Sequence, residues 1–142
     1  MKNILILMLG LMAMTFTSCY EEPDWISDNT TTEGKHYAQI QSVYVEDGAT
    51  LTPGSTFNLM VDYWSIDDVD KLDLTQDILG VETLVSSTPY ADHYDAEKNV
   101  QVMPLSYTIP ADVEAGTDIS LTVDVITTGG LVTSKSKTIT VE

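Results

Sequence analysis

The chain has 142 residues, enough for one domain with a single hydrophobic core. It carries 22 Asp and Glu residues against six Lys and no Arg, which gives a formal net charge of −16. Because nucleic-acid binding needs a basic surface that releases counterions, this charge excludes nucleic acid as a partner and disfavours close approach to anionic lipid.

The N-terminal residues have the pattern of a secretory signal. Lys2 precedes an apolar run over residues 4–16, which ends shortly before Cys19. This run is too short to cross a bilayer as a helix, which takes about 20 residues, but it fits the apolar region of a signal peptide. The residues that follow the run allow two interpretations. Either Cys19 is lipid-modified, or an ordinary signal peptide is cleaved near Ser18.

Thr17-Ser18-Cys19 resembles a bacterial lipobox, a motif in which the cysteine thiol is lipidated and becomes the first mature residue. The resemblance implies a signal peptide over residues 1–18, lipid attachment at Cys19 and a membrane partner held through two or more acyl chains. Cys19 is the single cysteine, so no intramolecular disulfide can form.

Residues 19–35 are acidic and polar without a sustained period, which predicts a flexible acidic tether. The segment YEEPD at 20–24 resembles the export signal of Bacteroides-type surface lipoproteins. That resemblance implies an outer-membrane lipoprotein exposed at the cell surface. A merely solvated linker, on a protein that faces the periplasm, is the alternative.

From residue 36 onward the pattern predicts β-structure. Strands are expected over 36–46, 55–64, 69–75, 78–85, 100–109, 117–127 and 131–141, with a long loop over 86–98. The clearest alternation is in 55–64, where Phe57, Leu59, Val61 and Tyr63 share one face. A change of phase near Pro104 predicts a bulge or an edge position.

About seven short strands with no helical period predict an all-β fold, an immunoglobulin-like antiparallel sandwich over residues 36–142. The stretches DGATLTPGSTF at 47–57 and YTIPADVEAG at 107–116 resemble the immunoglobulin-like modules of Bacteroides-type surface lipoproteins. Such modules occur in glycan-capture systems, in adhesins and in assemblies of unknown role. The resemblance therefore concerns fold and context rather than activity.

No catalytic residues are predicted. His36 and His93 are the only histidines, and neither lies in a nucleophile–base motif. Two histidines and one cysteine are too few for a zinc site, and no glycine-rich phosphate loop precedes a helix.

A cluster of acidic residues suggests a calcium site. Asp62, Asp67, Asp68 and Asp70 lie around one predicted loop, with Asp73 close behind. Calcium takes six to eight oxygen ligands, many of them carboxylates, although the EF-hand spacing is absent here. The alternative is a solvated charged loop without any metal.

Aromatic residues suggest a second candidate site, a ligand-binding surface. Trp64, Tyr90 and Tyr94 are candidates for a ligand-facing surface, because exposed aromatic rings can receive sugar rings. Alternatively, Trp64 packs beneath the 86–98 loop.

The leading hypothesis is a non-catalytic cell-surface lipoprotein whose immunoglobulin-like domain mediates protein interaction or assembly. The alternative is an accessory glycan-binding lipoprotein of a polysaccharide-capture system. The expected partner is accordingly a cell-surface protein or a polysaccharide. An exposed coplanar row of aromatic rings would favour glycan, whereas buried rings and an open sheet edge would favour protein pairing.

Overall fold

The structure is a computed structural model that describes residue 31 and residues 33–142. The predicted signal peptide, Cys19 and most of the predicted tether lie outside the described residues. Among the residues described, no helix is long and apolar enough to span a membrane.

The described residues form an all-β sandwich of two antiparallel four-stranded sheets, in the orders β1-β2-β6-β5 and β4-β3-β7-β8. This is the strand arrangement of the immunoglobulin fold, with β4 as an additional strand beside a three-stranded sheet. The predicted fold is therefore confirmed. The strands are β1 (Gln39–Val45), β2 (Thr56–Trp64), β3 (Val69–Ile78), β4 (Val81–Pro89), β5 (Tyr94–Asp95), β6 (Val100–Thr108), β7 (Asp118–Thr127) and β8 (Val132–Thr140).

The core lies between the two sheets and is built from alternate residues of the central strands. In β2 and β7 the buried apolar positions recur at every second residue, because successive side chains of a strand point to opposite faces. Phe57 and Tyr107 pack edge to face, with ring centroids 5.6 Å apart. Ile139 and Val141 complete the core from the last strand and the residue that follows it.

The prediction of a long loop over 86–98 is wrong in part. Strand β4 continues through Pro89, and Tyr94 and Asp95 form the short β5 against β6. Because β4 is an edge strand with little buried surface, its polar residues at 86–88 do not show the alternation that identifies a strand. The predicted strand 78–85 spans a real turn, since β3 ends at Ile78 and β4 begins at Val81.

Pro104 lies at the open edge of β6. The register between β2 and β6 is continuous through the Met60–Pro104 pair, so no bulge occurs there. Beyond Pro104 the outer side of β6 is unpaired, because β5 contacts only Gln101 and Val100. Proline lacks the N–H that a central strand would need, and the edge position accommodates it.

The two sheets are joined along one side by the β1–β8 seam, a set of contacts between strand β8 and strand β1 with the residue preceding it. Thr133 Oγ1 donates a hydrogen bond to the carbonyl of Ala38 at 2.7 Å. Lys135 Nζ donates to the carbonyl of Gln41 at 2.6 Å. These bonds satisfy backbone acceptors that would otherwise be open on the β1 edge.

Candidate functional site

Two surfaces of the domain have features that packing of the core does not explain. The first is the end cleft, a depression of about 220 Å³ at the end of the sandwich where β2 leads into β3. The residues that line it are Tyr63, Ser65, Ile66, Asp67, Asp68, Val69, Tyr90 and Gln101. The second is the β4 edge, defined as strand β4 together with Leu79 of the preceding turn.

The β2–β3 connection that lines the end cleft is held from two sides. The backbone N–H of His36 donates to Asp67 Oδ2 at 2.7 Å, and His36 Nδ1 lies 3.2 Å from Asp67 Oδ1. These contacts, the backbone bond first, hold the pKa of the Asp67 carboxyl below its usual value. From the other side, the N–H of Thr128 donates to the carbonyl of Asp68 at 2.8 Å.

Two buried hydroxyl groups at the cleft have no hydrogen-bond partner in the described part of the chain, Tyr63 Oη and Ser65 Oγ. Tyr63 is 1% exposed, and its burial, followed by the influence of Tyr90 and Asp92, raises the pKa of the phenol. The hydroxyl is therefore protonated at neutral pH, with both its donor and its acceptor capacity unused. Such orphan groups are uncommon in folded proteins.

The opposite wall of the cleft is a hydrogen-bonded network around Tyr90. The Tyr90 N–H donates to the carbonyl of Asp70 at 2.9 Å, which fixes the backbone just after β4. Gln101 Nε2 donates to Tyr90 Oη at 3.3 Å and to Asp92 Oδ1 at 3.0 Å. The network holds the half-exposed Tyr90 side chain in place at the rim.

The four carboxylates proposed for calcium are not gathered at one point. Asp62 lies on the outer face of β2, where Lys98 Nζ lies 3.1 Å from it and Tyr44 Oη 3.3 Å. Asp67 contacts His36 instead, and Asp70 is exposed at the start of β3. Among the described residues, no three His, Cys, Asp or Glu side chains are placed to hold a metal ion. Only Asp67 and Asp68 share a site, in the end cleft.

The three aromatic candidates do not share the end cleft. Of them, only Tyr90 lines the end cleft. Trp64 is half-buried at the end of β2, and Tyr94 is exposed on β5 with its hydroxyl 2.5 Å from Asn99 Oδ1. Tyr63, which sequence patterning assigned to the core, contributes the most unusual group of the site. Alternation predicts that its ring is buried but carries no information on its hydroxyl.

The two histidines make different contacts. His36 contacts Asp67, and no hydrogen bond joins it to Ser65 Oγ in the described part of the chain. For His93, the backbone N–H donates to Gln101 Oε1 at 2.7 Å.

The β4 edge exposes several large apolar side chains, which lie in the turn and on both faces of the strand. The exposed fractions are 87% for Leu79, 65% for Val81 and 64% for Leu84, and Val85 is also exposed. Because the β1–β8 seam closes one side of the sandwich, β4 and β5 lie on the other side. Strand β5 has only two residues and is too short to cover the inner face of β4.

The turn before β4 adopts an unfavourable conformation. Leu79 has a φ of +53° and Gly80 a φ of +83°, as in a two-residue hairpin turn with both central residues left-handed. Glycine adopts this conformation freely, but a bulky leucine does so rarely. Asp77 Oδ1 accepts a hydrogen bond from the Gly80 N–H at 2.8 Å and helps to hold the turn.

Comparisons with known proteins do not assign the chain to a family. No family model matches the chain, and no curated protein matches it. Among solved structures, the chain is similar to wild-type OgpA from Akkermansia muciniphila, with 16% sequence identity and a TM-score of 0.49. The match covers 79% of this chain but 29% of the OgpA chain, so this chain spans less than a third of that protein.

Proposed function

We propose that the protein is a non-catalytic cell-surface lipoprotein whose immunoglobulin-like domain binds an extended segment of another protein along the β4 edge. The observation that carries the proposal is the set of exposed apolar side chains on a strand whose outer edge is unpaired, Leu79, Val81 and Leu84. An open edge offers backbone N–H and C=O groups to an added strand, and the apolar side chains supply contact area.

The other long edge of the same sheet has the features of a protected edge. Strand β8 presents Lys135 and Lys137, and Lys135 also reaches the carbonyl of Gln41 across the β1–β8 seam. Charged side chains on an edge oppose pairing with another strand. Strand β4 contains no lysine, and Glu82 is its single charged residue.

The net charge identifies the kind of segment that fits. At −16, two copies of the chain repel each other, which disfavours pairing of β4 with β4 of a second copy. A segment that is neutral or basic, with apolar residues at alternate positions, avoids this repulsion. The proposed occupant is therefore a segment of a different protein.

In this proposal, lipid attachment at Cys19 holds the domain at the outer membrane, and residues 20–35 act as the tether. A coil of that length spans about 20–25 Å on average, at roughly 5–6 Å times the square root of the residue number. This reach brings the β4 edge close to other proteins of the same surface.

The test is site-specific photocrosslinking on intact cells. A photoreactive amino acid is placed at Thr83 on β4 or, as the control position, at Thr138 on β8. We expect a discrete crosslinked protein from Thr83 and none from Thr138. In the Thr83 series, Leu84→Lys should abolish the product, whereas Val132→Lys, the same type of change on β8, should leave it unchanged.

Equal crosslinking from both positions, or a Thr83 product that Leu84→Lys does not affect, would contradict the proposal. A product that consists of two copies of this chain would contradict the assignment of a different protein as the partner. Failure to obtain any product from Thr83 would count against the β4 edge as a binding surface.

A further inference from the structure

Three features of the end cleft together indicate a small ligand: its concave shape, two hydroxyl groups without hydrogen-bond partners and its negative charge. Tyr63 Oη and Ser65 Oγ are buried at its wall without hydrogen-bond partners among the described residues. A buried polar group without a hydrogen-bond partner lowers the stability of the fold. A ligand that forms the missing hydrogen bond removes this penalty. Each hydroxyl oxygen can accept a hydrogen bond from a ligand donor.

The electrostatic character of the cleft is negative. Asp67 and Asp68 both line it, and Asp92 lies just behind Gln101. Asp67 accepts hydrogen bonds from His36, whereas the Asp68 side chain makes no ion pair or hydrogen bond within the described residues. Nearby Lys35 is paired with Glu33 at 3.2 Å. A neutral ligand over the Asp68 carboxylate would remove its hydration without supplying a positive charge. A cationic ligand supplies that charge and therefore fits better.

The remaining lining is apolar or aromatic. Ile66 is largely exposed, Val69 is buried at the base of the cleft, and the Tyr90 ring stands at the rim. An alkyl stem can pack against these groups, and an aromatic face attracts a cation. At about 220 Å³, the cleft lies below the roughly 300–1,000 Å³ of sites for drug-sized ligands, so the group it takes is small.

We infer that the end cleft binds a primary alkylammonium group, whose N–H groups donate to Tyr63 Oη, Ser65 Oγ and the Asp68 carboxylate while its stem packs on Tyr90. The same chemistry is found in a free alkylamine and in a lysine side chain of a peptide. The end cleft and the β4 edge are different surfaces, so this binding does not depend on the proposed strand addition.

The experiment is an NMR titration of the purified full-length protein, followed at the backbone amides of Ser65, Asp68 and Tyr90. The probes are n-butylammonium chloride and Nα-acetyl-lysine amide, with n-butanol as the uncharged match and methyl glucoside as a neutral sugar. We expect saturable shifts with an ammonium probe and none with n-butanol, and affinity that falls as sodium chloride screens the charge. Saturation by both ammonium probes would indicate that a free amine suffices, and saturation by the lysine amide alone would indicate a peptide source.

Two variants test the assigned contacts. Tyr63→Phe removes the orphan hydroxyl and keeps the ring, and Asp68→Asn removes the charge and keeps the shape. Each should weaken ammonium binding about tenfold, as loss of a hydrogen bond to a charged group does. The matched control is Asp112→Asn, an exposed change at the opposite end of the sandwich that should leave binding unchanged.

Absence of saturable shifts with both ammonium probes would overturn the inference. Equal shifts with n-butanol, or affinity that neither variant alters, would do the same. Binding of methyl glucoside in place of the ammonium probes would assign the cleft to a neutral sugar instead. The amide spectra of the variants report directly whether each one is folded.

Discussion

Two tyrosines of the core differ in the hydrogen bonding of their hydroxyl groups and form a useful pair for comparison. Tyr63 and Tyr107 are each 1% exposed, but Tyr107 Oη donates to Gln76 Oε1 at 2.8 Å, whereas Tyr63 Oη has no partner. Tyr107→Phe should lower the free energy of unfolding by about 1–2 kcal/mol, because Gln76 loses its buried donor. Tyr63→Phe should leave that free energy unchanged or raise it, because it removes an unsatisfied polar group.

Urea denaturation of the two variants beside the parent protein measures both effects. Each substitution removes one oxygen atom from a buried ring, so the difference between them isolates the hydrogen bond. A loss of stability in Tyr63→Phe as large as that in Tyr107→Phe would contradict the assignment of an unsatisfied hydroxyl at the end cleft.

At the residue scale, the sequence predicts which side chains are buried but not what their polar atoms contact. Alternation in 55–64 places Tyr63 inward, as the structure confirms. The partners of polar groups come from distant strands, as with Gln76 for Tyr107 or Lys98 for Asp62, 36 residues apart. Local periodicity contains no information on such pairs, and this is why the four proposed calcium ligands were grouped although the fold separates them.

At the scale of elements, the β3–β4 turn gives the clearest prediction. Leu79 occupies a left-handed position where asparagine is preferred before glycine. Leu79→Asn should therefore raise the free energy of unfolding by about 1 kcal/mol, since a bulky residue in this conformation costs about 1–3 kcal/mol. It should also weaken capture at the β4 edge, because Leu79 is the most exposed of the apolar side chains there.

Thermal and urea denaturation measure the first effect, and the Thr83 crosslinking assay measures the second. Leu84→Asn is the control, since it removes an exposed apolar side chain from β4 without relieving the turn, and it should not stabilise the domain. A Leu79→Asn protein that is less stable than the parent would show that Leu79 supports the fold rather than a partner contact.

Strands were predicted well where one face is buried and poorly where neither is. The last two strands were expected over 117–127 and 131–141, and the structure has them at Asp118–Thr127 and Val132–Thr140. The pattern predicts one strand over 78–85, which runs through the turn at 79–80 and stops short of the observed end of β4 at Pro89, because an edge strand has no core face to impose a period of two. Leucine is also not a residue that signals a turn, so the position of Leu79 could not be inferred from composition.

For the whole molecule, charge dominates the expected response to solution conditions. With a net charge of −16, the folded state concentrates repelling carboxylates that the unfolded chain separates. Raising sodium chloride from about 0.01 M to 1 M shortens the screening length from roughly 30 Å to 3 Å. We expect the melting temperature to rise over this range.

Choline chloride at equal ionic strength provides the comparison. A similar rise with both salts indicates general screening, whereas a rise with sodium alone would indicate specific cation binding and contradict this explanation. A melting temperature that falls with salt would mean that favourable ion pairs, such as Lys98–Asp62, outweigh the repulsion.

The β1–β8 seam determines how many partners one molecule can hold. Because Thr133 and Lys135 occupy the backbone acceptors of Ala38 and Gln41, an incoming strand finds little to pair with on that side of the described domain. A subunit that accepts added strands on two sides can lie within a fibre. A subunit that accepts a strand on one side can only lie at the end of one. The complex at the β4 edge should therefore have one-to-one stoichiometry, and the protein should terminate a growing assembly rather than extend it.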